Sequence, residues 1–552
     1  MRIIVIGGVA AGMSAAARAR RLNETAQIVV LEKGKYVSFA NCGLPYHVSG
    51  EIERDDYLLL HTPESLRDVL NLDVRTEHEV VAIDRTARTV TVETPAGMEV
   101  LEYDALILTP GAEPIRPSIP GIDLPGVSHL RTVEEARNLA ELAGNSTRAV
   151  VMGAGFIGIE TAEALRHRGL DVTLVELAPQ VLPPLAPELA QSVAVELTNN
   201  GVDVRTGVAA TDIAQSYAGL VVGLSDGTSM AADIVVVSVG VRPKTELAVA
   251  AGLDVTERGG IIVDGDQRTS DPHIWAAGDA TAVAHGVTGA VGPVPLAGPA
   301  NRQGRRAADS IFGATSPAAP VLGTAIVRAF GVTAAMTGAS PRMLQAAGIE
   351  HFVIHTHPAQ HAGYYPGSQI LHLMGVFSPD GTLLGAQAVG PEGVDKRIDV
   401  LATALRAGMT AHDLAELELA YAPPYGSAKD PINMLGFMAQ NVLAGTITLW
   451  RADQLDWARE NALIVDVRSP REYTRGHLPE AINVPHTLIR DQIDRLVTLA
   501  DGRPVRFVCA SGFRSYLAHR IVTQHGIDSA TFDGGMFTLT ASAPHLELAQ
   551  GT

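Results

Sequence analysis

The chain has 552 residues, 46% hydrophobic and 18% charged, with a formal net charge of −18 at pH 7. That length needs several cores, roughly three to five domains, and that charge argues against nucleic acid as a partner. Two cysteines exclude a disulfide framework, so each is either an inert core thiol or a reactive one. No stretch approaches the ~18 apolar residues of a membrane helix. The first residues, "MRIIVIGGVAAGMSAAARARR", run apolar, then glycine, then arginine, the wrong order for a secretion signal. The expectation is a cytoplasmic protein.

Residues 2–6 read as an apolar strand, Gly7, Gly8 and Gly12 as a turn opening an alanine-rich helix, and 27–31 as a second strand ending at Glu32. This is the dinucleotide fingerprint, with Val9 standing at the middle glycine. Glycines let a backbone approach a pyrophosphate, and a carboxylate at Glu32 suits a ribose hydroxyl. A second copy, "AVVMGAGFIGIETAEALRHRGLDVTLVEL", keeps Gly153, Gly155 and Gly158 and ends at Glu176. A carboxylate there favours NADH over NADPH, because it would repel a 2′-phosphate.

Three further strands end in glycine turns: "ALILTPGAEP" (105–114), "DIVVVSVGVRPKT" (233–245) and "IWAAGDA" (274–280). Together with the two fingerprints they resemble the two-dinucleotide flavoprotein reductases. The resemblance implies FAD in the first fold, NAD(P)H in the second, and Gly278–Asp279 on the ribityl chain of FAD. It also implies an FAD domain in two pieces, 1–118 and 253–325, with the NAD domain inserted at 119–252.

Many such reductases carry a C-x4-C redox pair. Here Cys42 stands alone in "SFANCGLPYHVSG", and the next cysteine is Cys509. A single active-site thiol must take its redox partner from elsewhere: an oxygen, a bound thiol or a sulfane sulfur. The segment, with the first fingerprint, closely resembles the coenzyme A–disulfide reductase branch, including its persulfide and polysulfide reductases. The resemblance implies a mixed disulfide between Cys42 and CoA beside the flavin. Ser14, Arg18 and Arg21 lie at i, i+4 and i+7 and share one helix face, where guanidiniums could take CoA phosphates. By resemblance, Ser38 and Asn41 touch CoA or orient Cys42. Relatives often carry a histidine where Asn301 stands, so substrate contacts there are open. Cys42 must react as a thiolate, which a nearby cation favours.

Residues 326–448 resemble the dimerisation domain of the same reductases, an α+β fold implying a homodimer. "GVTAAMTGASPRMLQAAG" reads as strand, turn and helix, and "QILHLMGVFSPDGTLLGAQAVG" as a hairpin about Pro-Asp-Gly. Two tyrosine segments, 361–367 and 420–431, would by composition merely pack. The resemblance assigns Tyr421 and Tyr365, with Tyr364 the neighbouring alternative, to the partner's active site, and Lys429 to CoA.

From 449 to 552 the chain resembles a rhodanese domain. Asp466, Arg468, Gly476, His477, Cys509, Gly512, Arg514 and Gly534–Gly535 fall in that family's order. Cys509, Ala510, Ser511, Gly512, Phe513 and Arg514 form a six-residue loop before a helix, a nest that favours an anionic sulfur and suits a persulfide. Asp466 and Arg468 read as a structural pair.

The fold expected is therefore α/β throughout: two Rossmann-like domains for FAD and NAD, an α+β dimerisation domain and a C-terminal α/β rhodanese domain. The function expected is FAD-dependent reduction, by NADH or NADPH, of CoA persulfide, polysulfide or CoA disulfide, with no metal. The alternatives are a CoA–disulfide reductase with an ancillary rhodanese unit and a Cys42-sulfenate NADH oxidase.

Overall fold

The computed structural model describes residues 1–217, 219–315 and 318–551. It forms two compact units, Met1–Pro179 with Asn200–Gly323, and Gln180–Asn199 with the chain from Thr324 onward. Among the described residues no helix is long and apolar enough to cross a membrane.

The first unit holds two five-stranded parallel sheets of the same design. In one, the strands Ile274–Ala276, Ala105–Leu108, Arg2–Ile6, Gln27–Leu31 and Asp73–Arg75 lie side by side in that order. In the other the order is Val202–Thr206, Asp171–Glu176, Arg148–Met152, Ile234–Val237 and Val127–Ser128. Central strands such as Ile3–Val5 and Val150–Val151 are buried on both faces. That is why they read as unbroken apolar runs rather than alternating ones.

Each central strand feeds a glycine turn and a helix, Ala10–Leu22 in the first sheet and Phe156–His167 in the second. Gly7 and Gly153 both have φ +98°, a conformation open to glycine. A Cβ on Gly12 would lie 1.9 Å from the Gly7 carbonyl oxygen, and one on Gly158 the same distance from that of Gly153. Val9 and Gly155 are the matching N-caps, both with negative φ, so valine fits the first site without backbone strain. The helix Ala10–Leu22 packs against Ala297–Ile311 so closely that a Cβ on Gly304 would meet the Ala11 carbonyl at 2.0 Å.

The second unit contains an antiparallel sheet ordered Ala325–Ala329, Val332–Gly338, Leu383–Gly390, His372–Phe377 and Phe352–Thr356. The expected hairpin is present, with Gly381 at φ +87° closing its turn. The helices Val394–Ala407 and Pro431–Leu443 contribute to the same apolar core as this sheet. A parallel sheet follows, ordered Leu449–Trp450, Ser529–Phe532, Val505–Val508, Leu463–Asp466 and Ile482–Asn483. The helix Phe513–Thr523 begins directly after the Cys509 loop.

Candidate functional sites

In the first unit, Cys42 sits in a single 3-10 turn, Asn41–Gly43, that leads into the short helix Leu44–Ser49. The turn is fastened to the first fingerprint. Ser38, with φ +50°, donates its N–H to the Gly8 carbonyl at 2.8 Å, and its own carbonyl accepts from Leu60 at 3.1 Å. A dinucleotide on the Gly7–Gly12 loop would therefore lie on the same scaffold as the thiol.

Sequence reasoning missed the polar groups around that thiol. The Asn41 amide, oriented to satisfy both its polar atoms, donates to the Arg131 carbonyl at 3.0 Å and accepts from the Arg131 guanidinium. Arg131 in turn lies 3.8 Å from the Asp279 carboxylate. Tyr46, from the cysteine loop's helix, donates to Glu160 at 3.2 Å. Cys42 is exposed, yet the surrounding protein partly desolvates its thiol. That desolvation, reinforced by Glu160 and Asp279, pushes the thiol pKa up and outweighs the pull of Arg131. The expected cation is present, but it does not prevail over its acidic neighbours. Burial likewise raises the Asp279 carboxyl, against Arg131.

The two ribose-facing candidates behave alike. Glu32 accepts from the N–H groups of Gly8 and Gly34 at 2.7 and 2.8 Å, and Glu176 from Ala154 and Ala178, both at 2.7 Å. Each carboxylate thus lies against the glycine turn of its own sheet. Gly278, at φ +86°, donates to the Gln303 side chain at 2.7 Å, which fixes the backbone beside Asp279.

On the first helix, Ser14 donates to Asn301, the residue standing at the doubtful position. Arg18 is not a free cation, because its Nε donates to Asp309 at 2.6 Å. Arg21 is exposed. Arg20, off the stripe and 5% exposed, serves the fold by donating to the carbonyls of Leu70, Ala26 and Asn71.

In the second unit the two tyrosine segments meet. Ala362 donates to the Gly426 carbonyl at 2.9 Å. Buried Arg397 reaches both segments, donating to the Gln360 carbonyl at 2.8 Å and to Asp430 at 2.8 and 3.3 Å. Tyr364, rather than Tyr365, brings its hydroxyl to that of Tyr421, at 3.1 Å. Tyr365 packs edge-on against His361. Lys429 is exposed beside the Asp430 helix cap.

Cys509 is 1% exposed at the base of its loop. Its sulfur accepts from the Gly512 N–H at 3.2 Å and the Ser515 hydroxyl at 3.3 Å, and Thr531 donates to Ser515 at 2.6 Å. Ser515 and Thr531 lie outside the six-residue loop and carried no signal in the sequence. Arg514 closes the loop through two bonds to Glu472 at 2.8 and 2.6 Å. The flanking Ala510 and Ser511 are half-buried, and Phe513 is exposed. Asp466 and Arg468 form the expected buried pair, at 2.6–3.0 Å.

Comparison with known proteins matches three segments of the chain. A family model described as pyridine nucleotide-disulphide oxidoreductase matches residues 1–304, that family's dimerisation domain matches 324–430, and a rhodanese-like domain matches 451–541. An NADH oxidase of Methanocaldococcus jannaschii is 35% identical over 438 residues, 79% of this chain and 97% of that protein. A coenzyme A disulfide reductase of Staphylococcus epidermidis is 34% identical over 445 residues, 80% of this chain and all of that one. The solved structure of reduced Bacillus anthracis CoADR-RHD superposes with a TM-score of 0.96 at 40% identity, covering 99% of both chains. A NAD-dependent persulfide reductase from A. fulgidus gives 0.92 at 37% identity, covering 98% of this chain and 100% of the other.

Proposed function

Because the chain belongs to the pyridine nucleotide-disulphide oxidoreductase family, we propose that it reduces sulfane sulfur, carried as CoA persulfide or polysulfide, and CoA disulfide. The observation that carries this reading is the solitary Cys42, held by Ser38 against the first dinucleotide loop, with the second cysteine buried in a sulfur-binding cradle of its own.

The first fold suits FAD. Gly7 and Gly12 leave the backbone bare where a pyrophosphate must approach, Glu32 stands at the ribose, and Asp279 lies near Cys42. The second suits NADH in the same way through Gly153, Gly155, Gly158 and Glu176. Bound FAD would supply an electron pair drawn from reduced pyridine nucleotide.

The chain's own residues do the rest. The Cys42 thiolate attacks the outer sulfur of R–S–SH, forming Cys42–S–SH and releasing R–S⁻. Two electrons and one proton then divide the new S–S bond into the Cys42 thiolate and H₂S. Arg131 favours the thiolate, while Glu160 and Asp279 disfavour an idle anion. With CoA disulfide the same attack leaves a Cys42–CoA mixed disulfide and one free CoA. Ser14, Arg18 and Arg21 would bind CoA with Ser38 and Asn41, and Arg21 carries most of the phosphate charge because Arg18 is shared with Asp309. In a homodimer, Lys429, Tyr421 and Tyr364 would serve the partner's site, where a tyrosine hydroxyl can give a proton to the departing thiolate. Cys509 accepts sulfane sulfur for delivery. A reducing cytoplasm suits both thiols.

The test is Cys42→Ser. It should abolish NADH oxidation by CoA persulfide and CoA disulfide while flavin content stays unaltered. Mass spectrometry of the unmodified protein should find CoA on Cys42 that reductant removes. Undiminished turnover in the variant rejects the role of Cys42.

A further inference from the structure

The Cys509 cradle has a back wall, and the wall is held from outside the rhodanese-like segment. Gly534 and Gly535 follow the strand Ser529–Phe532 directly. A Cβ on Gly535 would lie 2.4 Å from the Cys509 carbonyl oxygen and 2.7 Å from the Gly512 nitrogen. The next two residues are hydrogen-bonded to the cysteine loop: Met536 donates to the Cys509 carbonyl at 2.7 Å and Phe537 to that of Ala510 at 3.0 Å. On its other side, a Cβ on Gly534 would meet His355 at 2.9 Å and His357 at 2.8 Å. The two glycines, with the Thr538 hydroxyl beside Gly534, lie between that pair of histidines and the loop that bears the sulfur.

His355 belongs to the strand Phe352–Thr356 of the antiparallel sheet. It is 6% exposed, and each ring nitrogen faces a carboxylate: Nδ1 lies 2.9 Å from Asp533 and Nε2 lies 2.7 Å from Glu188. Its backbone N–H donates to the other Asp533 oxygen at 2.9 Å. Two acceptors on one imidazole require two N–H donors, which only the imidazolium has. Asp533, 1% exposed, also accepts from Arg451 at 3.2 Å, and Arg451 reaches back to the Val353 carbonyl at 2.6 Å. The adjoining His357 faces His372 at 2.8 Å and the Thr538 hydroxyl at 2.8 Å. Burial works against the charged ring of His355, but Asp533 and then Glu188 prevail and push its pKa up to about 10. His357 is driven the other way, first by burial and then by His372, so it stays neutral.

We infer that His355 is a positioning residue for the Cys509 sulfur site: as an imidazolium it anchors Asp533, and through Gly534–Gly535 it sets the back of the cradle. A strand of the antiparallel sheet thereby controls the geometry of the sulfur site through the two glycines. The inference rests on the reading that Cys509 carries sulfane sulfur.

The experiment uses the full-length holoenzyme. Sulfur transfer to cyanide from an organic persulfide, in the presence of excess donor, reports Cys509, and NADH oxidation by CoA disulfide reports Cys42. His355→Gln keeps one hydrogen bond without the charge, leaving Glu188 and Asp533 to repel. Transfer should fall at least tenfold at pH 7.5, with CoA disulfide turnover within twofold of the parent. Relative to the parent at the same pH and total cyanide, transfer should then recover severalfold toward pH 5.5, because protonating Glu188 or Asp533 relieves that repulsion. Arg451, His357 and His372 remain in place in both forms. Asp533→Asn should also lose transfer and spare CoA disulfide. Transfer within twofold of the parent in His355→Gln, parallel loss of both activities, or an unchanged pH profile would each overturn the inference. Cys509→Ser is the control. If it still transfers sulfur, the Cys509 assignment fails and takes the inference with it; if it does not, while His355→Gln is unaltered, the inference fails alone.

Discussion

Replacing Arg397 by methionine should unlock both tyrosine segments at once. The guanidinium is buried, as is its partner Asp430, and it makes two bonds to that carboxylate and one to the Gln360 carbonyl. Removing one member of such a pair typically costs about 3–5 kcal/mol, because the other charge stays buried without compensation. Two features hold the expected cost to the lower end. Asp430 keeps its cap bond to the Ile432 N–H at 3.1 Å, and Lys396 lies 3.9 Å away. A loss of about 3 kcal/mol raises a local opening equilibrium roughly a hundredfold, at 1.36 kcal/mol per decade. Hydrogen exchange of the amides of Ala362, Tyr365 and Gly426 should accelerate by that factor, with no change in the rhodanese-like segment. Arg397→Met combined with Asp430→Asn should recover most of the protection, since no orphaned charge remains. Acceleration below tenfold in the single variant, or no recovery in the double, would refute the claim that this buried pair ties the segments together.

Arg21→Glu should weaken CoA retention about tenfold, near 1.4 kcal/mol, at constant flavin content; full retention would place the phosphates elsewhere. The cradle of Cys509 should resist acid. Its Glu472 carboxyl is held down at about 2, chiefly by Arg514. A depressed carboxyl contributes stability above its unfolded value, ~4.3, and loses it only as pH falls through the folded value. Amide exchange over 509–514, corrected for its intrinsic pH dependence, should show the same protection at pH 4.5 as at pH 7. Opening there would contradict the pairing.

Much of the architecture was legible because its signals are local. Apolar runs marked the buried parallel strands, and a Pro-Asp-Gly turn marked the hairpin. The two fingerprints were read even with Val9 at the middle glycine, and that substitution proves to be an unstrained N-cap. What lay beyond reach were groups that topology alone assembles. Arg131 and Glu160 approach Cys42 from elements far along the chain, and His355 meets Asp533 across 178 positions. No spacing rule links such residues. The helix face of Ser14, Arg18 and Arg21 was found, but its partner Asp309 was not, so the stripe looked more basic than it is. That the Tyr364 hydroxyl lies 3.1 Å from that of Tyr421 depends on side-chain direction in a loop, where neither helical nor strand periodicity applies.

The helix Pro187–Asn199 packs with the second unit, although strands of the first flank it in the chain. During synthesis Glu188 emerges 167 residues before His355, and His355 another 178 before Asp533. At ~5–20 residues per second each interval lasts roughly ten to thirty seconds. An acidic helix must wait on the ribosome for a histidine, and that pair must wait for an aspartate, before the three-charge cluster is complete. Nascent chains stalled before residue 533 should therefore be the ones that chaperones hold longest.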